Sequence, residues 1–509
     1  MKTTGIKRLT ASMLFASIGT AVAPMAFAAG DVDIDNDGLI EISTLEQLNL
    51  MRYDLAGTSL NGDSTGCPAT GCHGYELVAD LDFDTNGNGV FDSGDLFWNN
   101  GKGWVPVGWV SSYSKYPFTA TFEGNSHAIR NLRIDNLKGD GVGLFSSTNA
   151  ASIQNLSFIK PVITIDYSYN KKSAGAIAGQ MIDSSINNVS VEDIVLSGYS
   201  YSGSIAGTFK SDLPVSGVHA TGKLDGASRV AGLFGTLRGM SGPNSLSVND
   251  ISFAGSVYAE YTASGIAGSI ISTELLDCSV TGSVETSGHN TAGLASLLLD
   301  STISQCHVNA AVKVRDDDPD GTVSYFTGGL FSEMGSSTVE ETSFVGEVWT
   351  PGNHAGGIAG AVTGTIIIRD VSIISDIYSA NCCVGGLFGI LYSKVNDPLA
   401  SIDVDRVVIA GDISSRDLTS VAGIFGGSWV SNEEVQSTLH IGSVYWDSEL
   451  SGVYSSGASG IDVGGEGKST FELQCPTMPG DVTCDADLYA GWDEAIWDFG
   501  TSSDYPVLR

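Results

Sequence analysis

Positive charge is scarce in this chain. Lysine and arginine together number 24 against 58 aspartates and glutamates in 509 residues, a net charge of −34. A field of that sign repels nucleic acid and anionic lipid and attracts divalent cations, so nucleic-acid binding is excluded at the outset. Long apolar runs are also rare: past the first 28 residues, nothing approaches the roughly 18 apolar residues needed to cross a bilayer. Catalytic patterns are missing as well. The seven histidines (His73, His127, His219, His289, His307, His354 and His440) match no triad order, and no Gly-x-Ser-x-Gly elbow joins a strand to a helix. No Cys-x-x-Cys or Cys/His spacing suggests zinc. In the repeated part of the chain no helical periodicity persists over ten residues.

Cysteine is sparse but even in number, eight residues in four local pairs. In an exported chain that pattern suggests disulfides. Cys67/Cys72 and Cys475/Cys484 close short loops outside the repeats and are expected bridges. Cys278 and Cys306 stand 28 residues apart at the same repeat position, where they would stack on adjacent coils, either bridged or as two buried thiols. The vicinal Cys382 and Cys383 could close a ring or remain two thiols.

The amino terminus carries Lys2, Lys7 and Arg8, then an interrupted apolar stretch from Met13 to Met25, then Ala26-Phe27-Ala28. This is the form of a cleaved signal peptide over residues 1–28. Its removal takes the net charge from −34 to −37. The expected location is therefore extracellular or cell-surface, with the periplasm as a further possibility, and no transmembrane segment in the mature chain.

What is abundant is glycine, 64 residues, and it is organised. Ten related four-residue phrases begin at Gly143, Ala176, Ser204, Gly232, Gly265, Gly293, Gly329, Gly357, Gly386 and Gly423, at intervals of 28 to 37 residues. Between them run apolar-x-x-apolar-x-apolar segments such as Ile186 to Val191, Val248 to Phe253, Ile303 to Val308 and Val404 to Ile409. Enrichment in Val, Ile and Phe, with Gly, Asn and Ser at the breaks, predicts short half-buried strands. A strand-only repeat of this length cannot bury its apolar side alone. It must stack on its neighbours, one coil per repeat with parallel pairing. The predicted fold is all-β, a parallel β-helix-like solenoid of about ten repeats. Glycines would serve at corners that need positive φ or close approach.

The ten phrases and the strands that follow them resemble the GLUG repeats of bacterial exported proteins. The run Phe118 to Leu132 resembles the coil that opens such arrays, and Tyr445-Trp446-Asp447, Gly491-Trp492-Asp493 and Trp497 to Gly500 resemble their close. The resemblance implies a β-helix-like rod at the bacterial surface or beyond it, and no assigned reaction. Some such arrays accompany immunoglobulin A peptidases, which need an HExxH helix; no histidine here is followed by glutamate. The expected layout is a cap region over 29–117, the repeat solenoid over 118–440 and a C-terminal cap over 441–509. Ser43-x-x-Glu46 predicts a capping box opening a short helix, with Leu45, Leu48, Met51 and Leu55 turned to the core as an N-terminal plug. The tryptophans and tyrosines from Tyr445 to Tyr505 are expected to close the other end, with an aromatic sugar-stacking site as the alternative.

Two acidic loops are candidate Ca²⁺ sites. Asp84, Asn86, Asn88, Val90 (through its carbonyl), Asp92 and Asp95 occupy positions one, three, five, seven, nine and twelve of an EF-hand-type pattern, with Gly89 at the sharp turn. Asp33, Asp35, Asp37 and Leu39 begin a second loop. Its twelfth position is Thr44, so Glu41 or Glu46 would have to supply the closing carboxylate. Both sites read as structural.

The expected function is that of a calcium-braced interaction protein, adhesive in character, whose partner is a cell-surface, glycan or matrix ligand. The alternative is an extracellular lyase or hydrolase acting on polysaccharide. Its best candidate cluster is Asp316, Asp317, Asp318 and Asp320 beside Lys313, Arg315 and His307, which also reads as an extra loop at a coil corner.

Overall fold

The structure is a computed structural model. It describes residues 30–108, 116–135, 140–165, 172–198, 200–315, 326–392, 401–428, 439–458, 462–474, 488–501 and 504–509. The signal-peptide stretch lies outside the described residues.

The segments read as strands do form strands, and they stack in parallel. The principal ladder is built from β1 (Leu39–Ile42), β2 (Gly74–Leu77), β3 (Thr121–Glu123), β4 (Ser152–Ile159), β5 (Ser185–Gly198), β6 (Val215–Gly226) and β7 (Leu246–Ala259). It continues through β8 (Thr273–Thr286), β9 (Thr302–Val314), β10 (Phe331–Thr350), β11 (Ala359–Ser379), β12 (Ser401–Ala410), β13 (Val444–Asp447) and β14 (Glu466–Lys468). Each pairs in parallel with the next, from Leu39↔Gly74 at one end to Asp447↔Lys468 at the other. The chain is thus a parallel β-solenoid. Its ladder reaches back to Leu39, well inside the stretch read as a cap. A second, ten-stranded parallel sheet of two- to four-residue strands runs from Gly141–Val142 to Val421–Ala422.

The glycine phrase makes the corner between that thin sheet and the next face. Its third residue forms a buried column, Phe145, Ala178, Ala206, Phe234, Ala267, Ala295, Phe331, Ala359, Phe388 and Phe425, each in register with the next. Large and small side chains therefore interdigitate inside the rod. The first residue is glycine from Gly232 onward because the neighbouring coil presses against it. A Cβ at Gly265 would lie 2.1 Å from the Gly293 carbonyl oxygen, and one at Gly293 2.2 Å from that of Gly329.

Positive φ is met by glycines such as Gly222, Gly255 and Gly282, as expected, and also by polar residues. Asn155, Asn188, Asp250, Asp277, Gln305, Glu341, Asp370 and Arg406 all have φ between 45° and 55°. With Gly217, they form one column up the rod, as the flanking registers show. This explains the apolar-x-x-apolar spacing. A regular strand alternates every residue, so the extra residue would turn the second apolar side chain outward. One left-handed residue absorbs the offset, and Val248, Ile251 and Phe253 are all buried.

At the amino end a short helix, α1 (Leu45–Leu50), follows β1. Its capping box lies one residue later than Ser43-x-x-Glu46: the Thr44 hydroxyl accepts from the Gln47 amide, and Gln47 Oε1 accepts from the Thr44 amide. Leu45 and Leu48, with Met51 just beyond, are buried in the main core, while Leu55 is only partly buried against it. At the carboxyl end the aromatic residues divide in two. Trp446 packs under Gly423 and donates its Nε1–H to the Val453 carbonyl at 2.8 Å. Tyr489, Trp492, Trp497 and Phe499 form a separate buried cluster on the outer side of β12, against Val408. A two-stranded antiparallel ribbon, Trp497–Asp498 with Val507–Leu508, lies along the flank against β10 and β11. These rings are shut away from solvent and offer no face to a sugar, whereas Tyr454 of the same stretch is 80% exposed.

Candidate functional site

The Asp84 loop curls on itself as its motif requires. Asp84 Oδ1 accepts from the Asn88 amide at 3.2 Å and Oδ2 from the Gly89 amide at 2.8 Å, while Gly89 takes φ +79°. Asn86 Oδ1 accepts from Asn88 N and Asn88 Oδ1 from Val90 N, and Asp95 receives the amides of Asn86 and Asp92. Asp92, however, takes its bonds from the side-chain amides of Asn86 and Asn88, at 3.1 and 2.8 Å. The Gly94 amide first, and then those two side chains, hold its carboxyl below the usual range. The residues of the pattern are on one loop, but their carboxylates are spread around it.

The Asp33 loop gathers its carboxylates more tightly. Asp33 is fully buried and accepts from the amides of Asp37 and Gly38 at 3.1 and 3.0 Å. Asp35 accepts from Asp37 N and Asp37 from Leu39 N. Oxygens of Asp33, Asp35 and Asp37 lie within 4.8 Å of one another. Glu41 folds back onto the loop, its Oε1 accepting from the Ile34 amide at 2.6 Å. Thr44 is taken by the helix cap and Glu46 is exposed, so of the two closing residues considered it is Glu41 that faces the loop.

Glu76 is the residue that sequence reasoning missed. It is 5% exposed and stands beside Glu41 through the β1–β2 register, with Glu123 on the next rung. Oxygens of Asp35, Glu41 and Glu76 form a second group within 4.8 Å. Burial pushes the carboxyls of both Glu41 and Glu76 up, and neighbouring like charges push further: Asp33 and Asp35 on Glu41, and Asp37, Asp35 and Glu41 on Glu76. The available signal was the shared setting of these glutamates between two apolar residues: Ile40 and Ile42, Tyr75 and Leu77.

Three of the four cysteine pairs lie among the described residues. Cys67–Cys72 is bridged beside Asp33, and Cys278–Cys306 is bridged across β8 and β9. Cys382 and Cys383 are joined as a vicinal disulfide. Cys475 and Cys484 lie outside the described residues, as do Asp316, Asp317, Asp318 and Asp320. Near that segment Lys313 pairs with Glu347, Arg315 with Glu285, and His307 Nδ1 is 2.9 Å from Ser343 Oγ. Among the described residues no helix is long and apolar enough to cross a membrane.

No protein-family model matches the chain. Over 164 residues, 32% of its length, it is 29% identical to a halomucin of Haloquadratum walsbyi (strain DSM 16790 / HBSQ001). It spans 1% of that protein. A solved structure, a proposed immunoglobulin A1 protease from Bacteroides ovatus, aligns over 92% of both chains with a TM-score of 0.32 and 15% identity.

Proposed function

We propose that this chain is an exported, calcium-braced rod of the GLUG-repeat kind, whose flank adheres to a cell-surface, glycan or matrix partner. The observation that carries the reading is the unbroken parallel ladder from Leu39 to Lys468, which repeats surface side chains in straight columns at rung spacing. Columns of that kind suit a repetitive partner, because one favourable contact recurs along the axis. The net charge of −34 favours partners that are cationic or joined through divalent ions. The grouped oxygens of Asp33, Asp35 and Asp37 fit a hard cation. The disulfides and the likeness to a halomucin support export.

The test is binding of the full mature chain to cells, glycan arrays and matrix proteins, with calcium and then with chelator. Saturable binding at micromolar concentration that chelator weakens is the expected result; uniform failure with calcium present removes adhesion. Thermal unfolding tests the brace separately. Calcium at about one hundred times its dissociation constant adds about 2.7 kcal/mol for each native-state site.

A further inference from the structure

Glu41, Glu76 and Glu123 stack on three successive rungs, in register. Their surroundings differ in one respect that matters. Glu123 is satisfied at both oxygens, Oε1 by the Asn125 amide at 2.7 Å and Oε2 by Asn155 Nδ2 at 3.1 Å. Glu76 Oε2 receives only Asn125 Nδ2, at 2.5 Å. Glu41 Oε1 is met by the Ile34 amide, but Oε2 is enclosed and has no hydrogen-bond partner. A buried carboxylate oxygen without a donor is costly, and here its neighbours are other carboxylates. The side chains beside it open on a recess of about 490 Å³ lined by Asp37, Leu39, Glu76, Glu123, Asn125 and Asn155.

We infer that Asp35, Glu41 and Glu76 together hold a hard divalent cation of the calcium class, clamping the N-terminal loop to the first two rungs of the ladder. Calcium–oxygen distances of about 2.3–2.6 Å place ligand oxygens no more than about 5 Å apart across the ion, and these three residues offer oxygens within 4.8 Å of one another. The orphaned Glu41 Oε2 is the atom the ion would satisfy. Water from the recess completes the coordination number, which for calcium is about six to eight. The inference departs from a site contained within the Asp33 loop, because Glu76 belongs to the next coil, 35 residues after Glu41. It stands or falls separately from the Asp84 loop.

The experiment counts bound calcium on the full mature chain by equilibrium dialysis, with magnesium alone as a comparison, for the parent and for Glu76→Gln, Glu123→Gln and Asp84→Asn. Glu76→Gln is expected to lose one ion per chain, while Glu123→Gln retains the parental count. Melting temperatures keep the test decisive if variants differ in stability. Without calcium, Glu76→Gln should melt above the parent, since a repelling charge is gone; with calcium its stabilisation should be smaller. An unchanged count in Glu76→Gln overturns the inference. Loss of an ion only in Asp84→Asn does the same while leaving the Asp84 loop as a calcium site. A parent that binds no calcium overturns both.

Discussion

Asp277 and Leu276 are neighbours on the same strand, both exposed, yet they stand in different backbone regions: Asp277 has φ 55°. A β-branched side chain there meets the following carbonyl. Asp277→Val is therefore expected to cost about 1–2 kcal/mol, while Leu276→Val is close to neutral; denaturant midpoints of the two variants check the difference. Bridging chemistry acts at the same scale. Cys278 and Cys306 occupy a buried column beneath Val189, Val218 and Ile251, so replacing both by valine keeps the column filled and removes only the covalent link. Closure of a loop of 28 residues is worth about 3.6 kcal/mol. The double variant should lose about that much, and reductant should then no longer shift its midpoint beyond the effect on the other bridges. Asp212 carries a pH signature. The Met240 amide first, then the hydroxyls of Ser241 and Ser245, hold its carboxyl down to about 2 from an ordinary 3.8. A depressed carboxyl stabilises the fold above its free value, and that increment disappears as pH falls from about 4 to about 2. Asp212→Asn should thus be less stable than the parent at pH 5 and equal to it near pH 2, by thermal unfolding.

Elements differ in how far they could be foreseen. The strands between Gly143 and Gly426 were legible because each phrase repeats an apolar spacing that only a stacked coil can bury. The left-handed column was hidden in the same spacing, since nothing local marks Gln305 or Arg406 as bulge residues; only their registers align them. The rungs before Gly143 lack the phrase, so β1 and β2 were read as cap. Glu76 escaped for the same reason, because its nearness to Glu41 is a property of register and not of any motif. The C-terminal ribbon was the least legible. Trp497 Nε1 donates to Asp370 Oδ1 at 2.9 Å, and Arg406 donates to both oxygens of the same carboxylate at 2.7 Å. A contact 127 residues apart leaves no trace in composition. Trp497→Phe removes that donor while keeping an aromatic ring. Amide exchange in 488–501 and 504–509 is expected to quicken by roughly tenfold, the equivalent of about 1.4 kcal/mol, with little change in the rungs of β5 to β9.

The whole molecule is a line of nearest neighbours under one sign of charge. Its stability is close to a sum over rungs and their interfaces, and its acidic surface works against compactness. Raising ionic strength from about 0.01 M to about 0.15 M shortens the screening length from roughly 30 Å to roughly 8 Å. Melting temperature should rise with sodium chloride over that range in the presence of chelator, and rise less once calcium occupies its sites. A melting temperature indifferent to salt would show that surface repulsion contributes little. The ribbon gives the line an unexpected load path. Pro506 and Trp497 are fastened to Ser372 and Asp370 on β11, several rungs before the ladder's last strand. Tension entering through the ribbon is therefore shared among β11, β12 and β13, because Tyr505 also donates to Asp447 and the ribbon's rings pack on Val408. All of these contacts lie on the flank, outside the ladder's own hydrogen bonds, so the first yielding under a pull would be a detachment that costs the rod no rung at all.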